Sequence, residues 1–531
     1  MSKPMKTLLA RVMQRITYDC VSVLAAICLC SSLAQSATDD PLVCLGLHKQ
    51  LLVDDHVLAE KKNLRRVLGQ VTKANQGRPI IVADKPWESG RWGLYGFYGT
   101  VLHDGDKFRM WYNPWRFAVA YAESSDGLDW QKPALNLYDF SVQRANKETQ
   151  LDHNSGFYPR EDAEVDYRGK ANNIIGVFGD GFTCYLDPHE SDPDHRYKAC
   201  YGHPRKIRAC LAHSRDGIHW TPYNRGEPVT GRASDSYNQI VWDEDAKTYR
   251  LFTRNDFGQG DIEIRGTRGM VNPDLKADPT AWKTVRSWKF DREGPAEYVR
   301  RQIYSMTDWI YAGVHFALMQ VYEWPDNPPR RRTGGDLFKR HERDVTNFYI
   351  ATSRDGDSWD LGWVYAEQPL IARGPDGSFD KDSVFPSSNI VTWQDKHWIF
   401  YTGFRERHWQ FGVPHKSAIG LATLPLDRFV GIQADKETGI ATTHPFKLVG
   451  SRLILNADAR AGNISVEVLD STGTPIKGFS AKKCRGLHQV NSLRAAVNWH
   501  SQRSLALLEG QIIRLRFRLR NAKLFAFQVQ P

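Results

Sequence analysis

The sequence predicts an all-β protein: a five-bladed β-propeller followed by a C-terminal β-sandwich. Three observations carry this. The 531 residues are 41% apolar, 25% charged and 12% aromatic, with 17 Trp, 21 Tyr and 24 Phe, a composition that excludes disorder, collagen and a disulfide miniprotein. The 41 Gly and 26 Pro favour short strands joined by turns over long helices. The pattern S-x-D-G-x-x-W occurs three times, and hairpins of similar aromatic texture occur five times.

The first 36 residues read as an export signal. Lys3, Lys6, Arg11 and Arg15 form a positive n-region, residues 20–33 an apolar stretch too short to span a bilayer comfortably, and Ala34-Gln35-Ser36 a small-x-small cleavage site. A secreted or periplasmic location is expected. The whole chain has 71 basic and 61 acidic residues, and loss of these four cations with Asp19 leaves 67 against 60, or +7. Such an excess, with signs interspersed, does not argue for nucleic acid. No later stretch approaches 18 apolar residues, so no membrane span is expected after signal removal. Residues 37–84 are expected to pack on or close the propeller, with Leu51-Leu52-Val53-Asp54-Asp55 as the candidate closing strand.

Residues 85–431 hold the repeats. Ser124 to Trp130, Ser214 to Trp220 and Ser353 to Trp359 carry the motif, and each follows an alternating run: 119–122, 207–212 and 348–352. Asp-Gly supplies a turn with positive φ at Gly, and the Trp returns to pack under it. Hairpins are predicted at 100–112, at Cys184-Tyr185-Leu186 with 197–199, at 239–243 with 249–252, at Gln302-Ile303-Tyr304 with 309–312, and at 389–393 with 397–401. Five such units are the signature of a five-bladed propeller, and most tryptophans are assigned to its core. Two polar stretches, 141–172 and 323–346, read as long loops. Beyond Phe429, residues 432–531 alternate strictly between turn residues, as in 464–469 and 512–520, and predict the sandwich. Arg514, Arg516, Arg518 and Arg520 share one strand face, read as solvated rather than as a polyanion stripe.

Five cysteines remain after the signal: Cys44, Cys184, Cys200, Cys210 and Cys484. An odd number leaves at least one free thiol. If residues 188–196 form a hairpin turn, Cys184 and Cys200 fall opposite one another, and both a bridge and two buried thiols stay open as readings. No C-x-x-C pair or Cys/His cluster at zinc spacing occurs, and no nucleotide, dinucleotide or hydrolase-elbow motif, so no metal or cofactor is expected.

Propellers bind ligands at the central tunnel, where the innermost strands begin. Just before or within the first strand of successive blades stand Glu88 with Arg91, Asp180, Asp235, Glu297 with Arg300 and Arg301, and Asp382. Carboxylates recurring there would converge on one axis, and a carboxylate pair is what glycoside cleavage requires. Each is alternatively a turn former or a tunnel-lining residue bonded to backbone N–H groups or arginine.

This pattern of repeated S-x-D-G-x-x-W hairpins and a following sandwich resembles the glycoside hydrolase superfamily of families 32, 43 and 68. It is most similar to secreted bacterial proteins described as family 32-like, which share the runs Leu52 to Asp55, Phe108 to Tyr112 and Leu515 to Phe517. The resemblance covers most of residues 50–531 and implies a carbohydrate-active propeller acting on oligo- or polysaccharide. The Asn-Asp-Pro-Asn, Arg-Asp-Pro and Glu-Cys motifs of characterised family 32 enzymes do not occur here, so catalytic roles are not transferred by motif. By position, Asp235 and Glu297 are the expected pair, Asp382 or Glu88 the third carboxylate, and Asp180, Arg91, Arg300 and Arg301 the substrate-binding groups. A non-catalytic glycan-binding propeller and a glycoside phosphorylase or transferase are the competing readings.

Overall fold

The computed structural model describes residues 40–88, 90, 94, 99–115, 117–142, 167–231, 236–258, 264–324, 344–407, 417–500 and 504–531. The signal segment, Arg91, Asp235 and most of the two long loops lie outside the described residues. The one α-helix among them is a single turn, Gly362–Tyr365.

Residues 66–431 form one compact unit, built from five antiparallel meanders in sequence order, the last two joined into one sheet by a parallel pairing of Thr346 with Ser383. Blade 1 is Thr100–Asp104, Lys107–Tyr112, Ala118–Ser124 and Ile174–Val177; blade 2 is Thr183–Leu186, Tyr197–Gly202, Ala209–Ser214 and Thr221–Pro222. Blade 3 is Gln239–Asp243, Thr248–Asp256, Arg265–Asn272 and Lys283–Trp288. Blade 4 is Arg301–Tyr311, Val314–Glu323 and Val345–Ser353, with bridges to Asp360 and Ile371 in place of a fourth strand. Blade 5 has an interrupted first strand, Ser383–Pro386 and Val391–Trp393, then Lys396–Phe404 and Ala418–Pro425. Its fourth strand is Thr72–Lys73, so a segment preceding blade 1 closes the ring.

The first strands of the five blades meet at the axis through a belt of hydrogen bonds. Thr100 Oγ1 lies 2.7 Å from Ser388 Oγ and accepts from Cys184 N at 2.9 Å, while Thr183 Oγ1 donates to Asn238 O at 2.6 Å. The Gln239 amide donates to Asp308 O and Ser388 O at 2.8 and 3.0 Å and accepts from Asp308 N at 2.7 Å. One side chain thus ties blades 3, 4 and 5 together and leaves no buried polar group of its own unpaired.

The S-x-D-G-x-x-W repeats are turns that clasp neighbouring blades. In each, the Ser hydroxyl accepts from the Asp and Gly N–H groups, and the Asp carboxylate accepts from the next two, as with Asp216 at 2.8 Å from both Ile218 N and His219 N. Gly217 has φ +77, and a Cβ there would sit 2.6 Å from Trp111 of blade 1, whose indole donates to Gly217 O. Gly127 abuts Trp398 of blade 5, and Gly356 abuts Arg250 of blade 3. Glycine is required twice over, by the dihedral and by the close approach.

Two expectations are corrected. Gln302-Ile303-Tyr304 and 309–312 are not two strands of a hairpin but parts of one strand, Arg301–Tyr311. Ser305 to Asp308 contain neither Gly nor Pro, and the reversal falls at Ala312-Gly313, both with positive φ. Cys184 and Cys200 do not face each other: Cys184 is opposite Ala199 and Cys200 opposite Thr183. A one-residue offset puts side chains on opposite sheet faces; the two thiols enter different core clusters and all five cysteines are free.

The second unit comprises residues up to Arg65 with Ile432–Pro531. In one sheet Ala522–Gln530 pairs with Arg452–Asp458, residues 432–434 and Gln50–Leu51; in the other Ile512–Arg520 pairs with Gly439–Thr443 and Asn463–Asp470, and Leu58–Lys62 adds to Gly439–Thr443. Leu455, Phe527, Val466 and Phe517 fill the core between them. The 51–55 segment expected to close the ring therefore begins in the sandwich, and Thr72–Lys73 closes it. The arginine face is paired within this unit, Arg514 with Asp40 at 2.6 Å and Arg518 with Glu467 at 2.8 Å.

Candidate functional site

The antiparallel meanders bring three kinds of strand end to one level of the propeller: the starts of the first strands, the ends of the second and the starts of the third. At this level Arg301 is directly opposite Glu323, Asp256 opposite Arg265, and Ser383 opposite Phe404. Three of the expected residues, Glu297, Arg301 and Asp382, join one polar network here. Glu297 lies on the short 3-10 turn that leads into Arg301, and its Oε1 is 3.8 Å from Arg301 Nε. Arg301, fully buried, faces Glu323 Oε1 at 3.9 Å and Glu367 Oε1 at 3.5 Å. Glu323 Oε2 accepts from Asn347 Nδ2 at 2.6 Å and from the Tyr349 hydroxyl at 2.8 Å. Asn347 Oδ1 accepts from Arg373 Nε at 3.0 Å, and Arg373 Nη1 is 3.9 Å from Asp382 Oδ1. The network therefore runs from blade 4 to the start of blade 5.

Sequence reasoning missed Glu323, Asn347 and Arg373. Glu323 ends the second strand of its blade, and its nearness to Arg301 follows from the register of the strand pair, which the misplaced hairpin at 302–312 concealed. Burial and the Glu323 carboxylate push the Tyr349 phenol well above its usual range, so Tyr349 stays a donor.

The expected residues divide by what surrounds them. The Glu297 side chain has no exposure, and its Oε2 accepts from Glu293 N at 2.9 Å; it positions Arg301 and does not face open space. Arg300 is exposed and paired with Glu293 and Glu367. Glu88 stands apart, in blade 1: it accepts from Tyr112 Oη at 2.6 Å, from the N–H groups of Asp84 and Lys85, and from Lys132 Nζ at 2.8 Å. Burial raises its carboxyl, with the Lys132 pair opposing. These bonds occupy both oxygens and fix the segment before the first strand. Asp180 is buried between Gly179 and Gly181, whose positive φ and contacts with Gly202 O and Ser236 O admit no side chain. Asp235 and Arg91 lie outside the described residues.

An aromatic cluster lies one to three positions inward from the charged residues: Tyr237, Tyr304, Tyr322, Phe385 and Phe404. Tyr304 and Tyr322 rings are 4.5 Å apart, and the Arg265 guanidinium sits over both at 5.4 and 5.3 Å. The arrangement sets carboxylates and guanidinium groups beside a buried aromatic cluster. Among the described residues no group of three His, Cys, Asp or Glu side chains has metal-binding geometry.

No protein-family model matches the sequence, and no curated protein matches it. Among solved structures the chain is similar to a protein from the GH130 family of mannoside phosphorylases, which contains glycoside hydrolases that target β-1,2 mannosidic linkages in Candida mannan: 12% identity, TM-score 0.37, 70% of this chain and 96% of that one. It is similar to a thermostable family-43 glycoside hydrolase at 11% identity and TM-score 0.38, covering 61% and 88% of the two chains. A third is the α-L-arabinofuranosidase PaAbf62A from Podospora anserina in complex with cellotriose, at 11% identity and TM-score 0.39, covering 67% and 98%. At such identities and TM-scores no activity is carried over, and the functional reading rests on this chain's own residues.

Proposed function

We propose that this chain is a carbohydrate-active protein of glycosidase type, exported by its first 36 residues, that cleaves glycosidic bonds where the first strands begin. The observation that carries this reading is the continuous network joining Glu323 and Asp382, two slightly exposed carboxylates with different surroundings. Asp382 is 3.0 Å from Lys381 Nζ, 3.5 Å from Arg407 Nε and 3.9 Å from Arg373 Nη1. Its part in the proposal is to attack an anomeric carbon or to activate water. Glu323 is asymmetric: among the described residues both of its hydrogen bonds fall on Oε2, while Oε1 faces Arg301 Nε at 3.9 Å. Oε1 is the oxygen available to carry a proton to a leaving group. Asp235, by its position before blade 3, belongs to the same proposal as an additional carboxylate. No cofactor takes part in this chemistry.

Release of reducing ends from a panel of oligo- and polysaccharides tests it. Glu323→Gln and Asp382→Asn should each lower kcat/KM by about 100-fold or more, the loss typical of removing a general acid or base, with melting temperature little changed. Undiminished turnover in both variants overturns the assignment. The missing family 32 motifs favour one second reading, a glycan-binding propeller without catalysis; it predicts that the wild-type chain retains a glycan and releases no reducing end.

A further inference from the structure

Beside the carboxylate network the positive charge is concentrated. Asp382 has three cations within 4 Å, and the next carboxylate, Glu323, is already engaged by Tyr349, Asn347 and Arg301. Arg373 is held rigidly on two sides: Nε donates to Asn347 Oδ1 and Nη1 to Lys381 O, both at 3.0 Å. Its Nη2 makes no hydrogen bond to any described residue, although the side chain is 30% exposed. Lys381, 35% exposed, pairs only with Asp382 among the described residues, at 3.0 Å. Burial, aided by Arg407 and only partly offset by Asp382 and Glu323, lowers the Arg373 guanidinium from its usual value. A guanidinium fixed through Nε and Nη1, with Nη2 unbonded among the described residues and an ammonium group sharing its Asp382 partner, is a preorganised receptor for an oxyanion.

Resting on the reading of this end as a glycan site, we propose that Arg373 and Lys381, with Arg407 alongside, form a subsite for an anionic substituent of the sugar, a carboxylate or a sulfate ester. Arg373 Nη2 and Lys381 Nζ each donate to the anion, and Asp382 keeps its contacts to the cations it shares. The charge on the substrate completes the neutralisation of the cluster and orients the sugar toward Glu323 and Asp382.

Isothermal titration with sodium glucuronate, glucose 6-sulfate and glucose reads binding without needing turnover. The wild-type protein should bind one or both anionic sugars about tenfold or more tightly than glucose, the ratio expected for one or two hydrogen bonds to a charged group. The two anionic arms separate a uronate from a sulfated substrate. Arg373→Gln and, as a more exposed change, Lys381→Met should each remove most of that preference, read as the ratio of anionic-sugar to glucose affinity within the same variant. Equal affinity for all three ligands in the wild type, or an unchanged preference in both variants, overturns the subsite. The two proposals fail separately: anion preference without hydrolysis of any polymer overturns glycosidase activity alone. Hydrolysis that is indifferent to substrate charge and to Arg373→Gln overturns the subsite alone.

Discussion

The two ends of the five first strands are opposites in chemistry. Where those strands begin, Glu297, Arg301, Glu323, Arg373 and Asp382 form a charged network spanning two blades. Where they finish, residues of all five blades, among them Leu102, Tyr185, Trp242, Trp309 and Val391, line a predominantly apolar cavity of about 770 Å³. The chain connections differ in the same sense. At the apolar end, first and second strands of blades 1, 4 and 5 are joined by two residues, Gly105-Asp106, Ala312-Gly313 and Gln394-Asp395, and the repeated Ser-Asp-Gly turns clasp adjacent blades. At the charged end the links from second to third strands are longer, as from Glu323 to Val345. Tight turns hold the frame at one end, and the other has room to vary, the usual division between scaffold and function in a repeat fold.

The contrast predicts unequal responses to substitution. The largest is expected at the charged end from Arg301→Met, which leaves Glu297, Glu323 and Glu367 without their shared cation. Breaking a buried pair by removing one partner costs about 3–5 kcal/mol, and the midpoint of urea unfolding measures it. At the belt, Gln239→Ala removes three neutral hydrogen bonds and orphans the Asp308 N–H and two carbonyls. At about 1 kcal/mol per bond the loss should be about 3 kcal/mol, without the shift in substrate charge preference that the Arg373 change produces. If Gln239→Ala proves the more damaging of the two, the belt and not the ion network is the main mechanical tie of blade 4.

What the sequence disclosed followed from short-range patterns. The Asp-Gly turns at 126–127, 216–217 and 355–356 were legible because the positive φ and the side-chain bonds that make them lie within seven residues. The hairpins at 100–112 and 239–252 were legible because turn formers separate alternating runs. What stayed hidden depended on register and on distant pairing. Cys184 and Cys200 looked opposed because hairpin geometry was guessed to within one residue, and one residue reverses a side chain. Glu323 escaped notice because Ser305 to Asp308 were read as a gap between two short strands. Leu51 pairs with Ala526 and Thr72 with Thr423, and no local pattern says which of two sheets an early strand will join. The candidate site was visible as a list of carboxylates before first strands, and its actual connectivity, through Asn347 and Arg373, was not.

The smallest expected effect belongs to the repeated turns and comes with a pH signature that distinguishes them from the network. Asp216 is pulled down to about 2: burial acts to raise it and is outweighed by the bonds from His219 and from the Ile218 and His219 N–H groups. A carboxyl depressed in the fold adds stability above its unfolded value, about 3.9, and that stability is lost as pH falls toward the folded value. Asp216→Ala removes both backbone bonds and should cost about 1 kcal/mol at pH 7. Because the alanine chain has no carboxyl to titrate there, the difference between wild type and variant should shrink between pH 4 and pH 2. Thermal melts of both proteins across that range measure it. A difference that stays constant with pH would assign the turn's contribution to the Ser214 hydroxyl and the Gly217–Trp111 contact, and would leave the aspartate only its neutral hydrogen-bonding role.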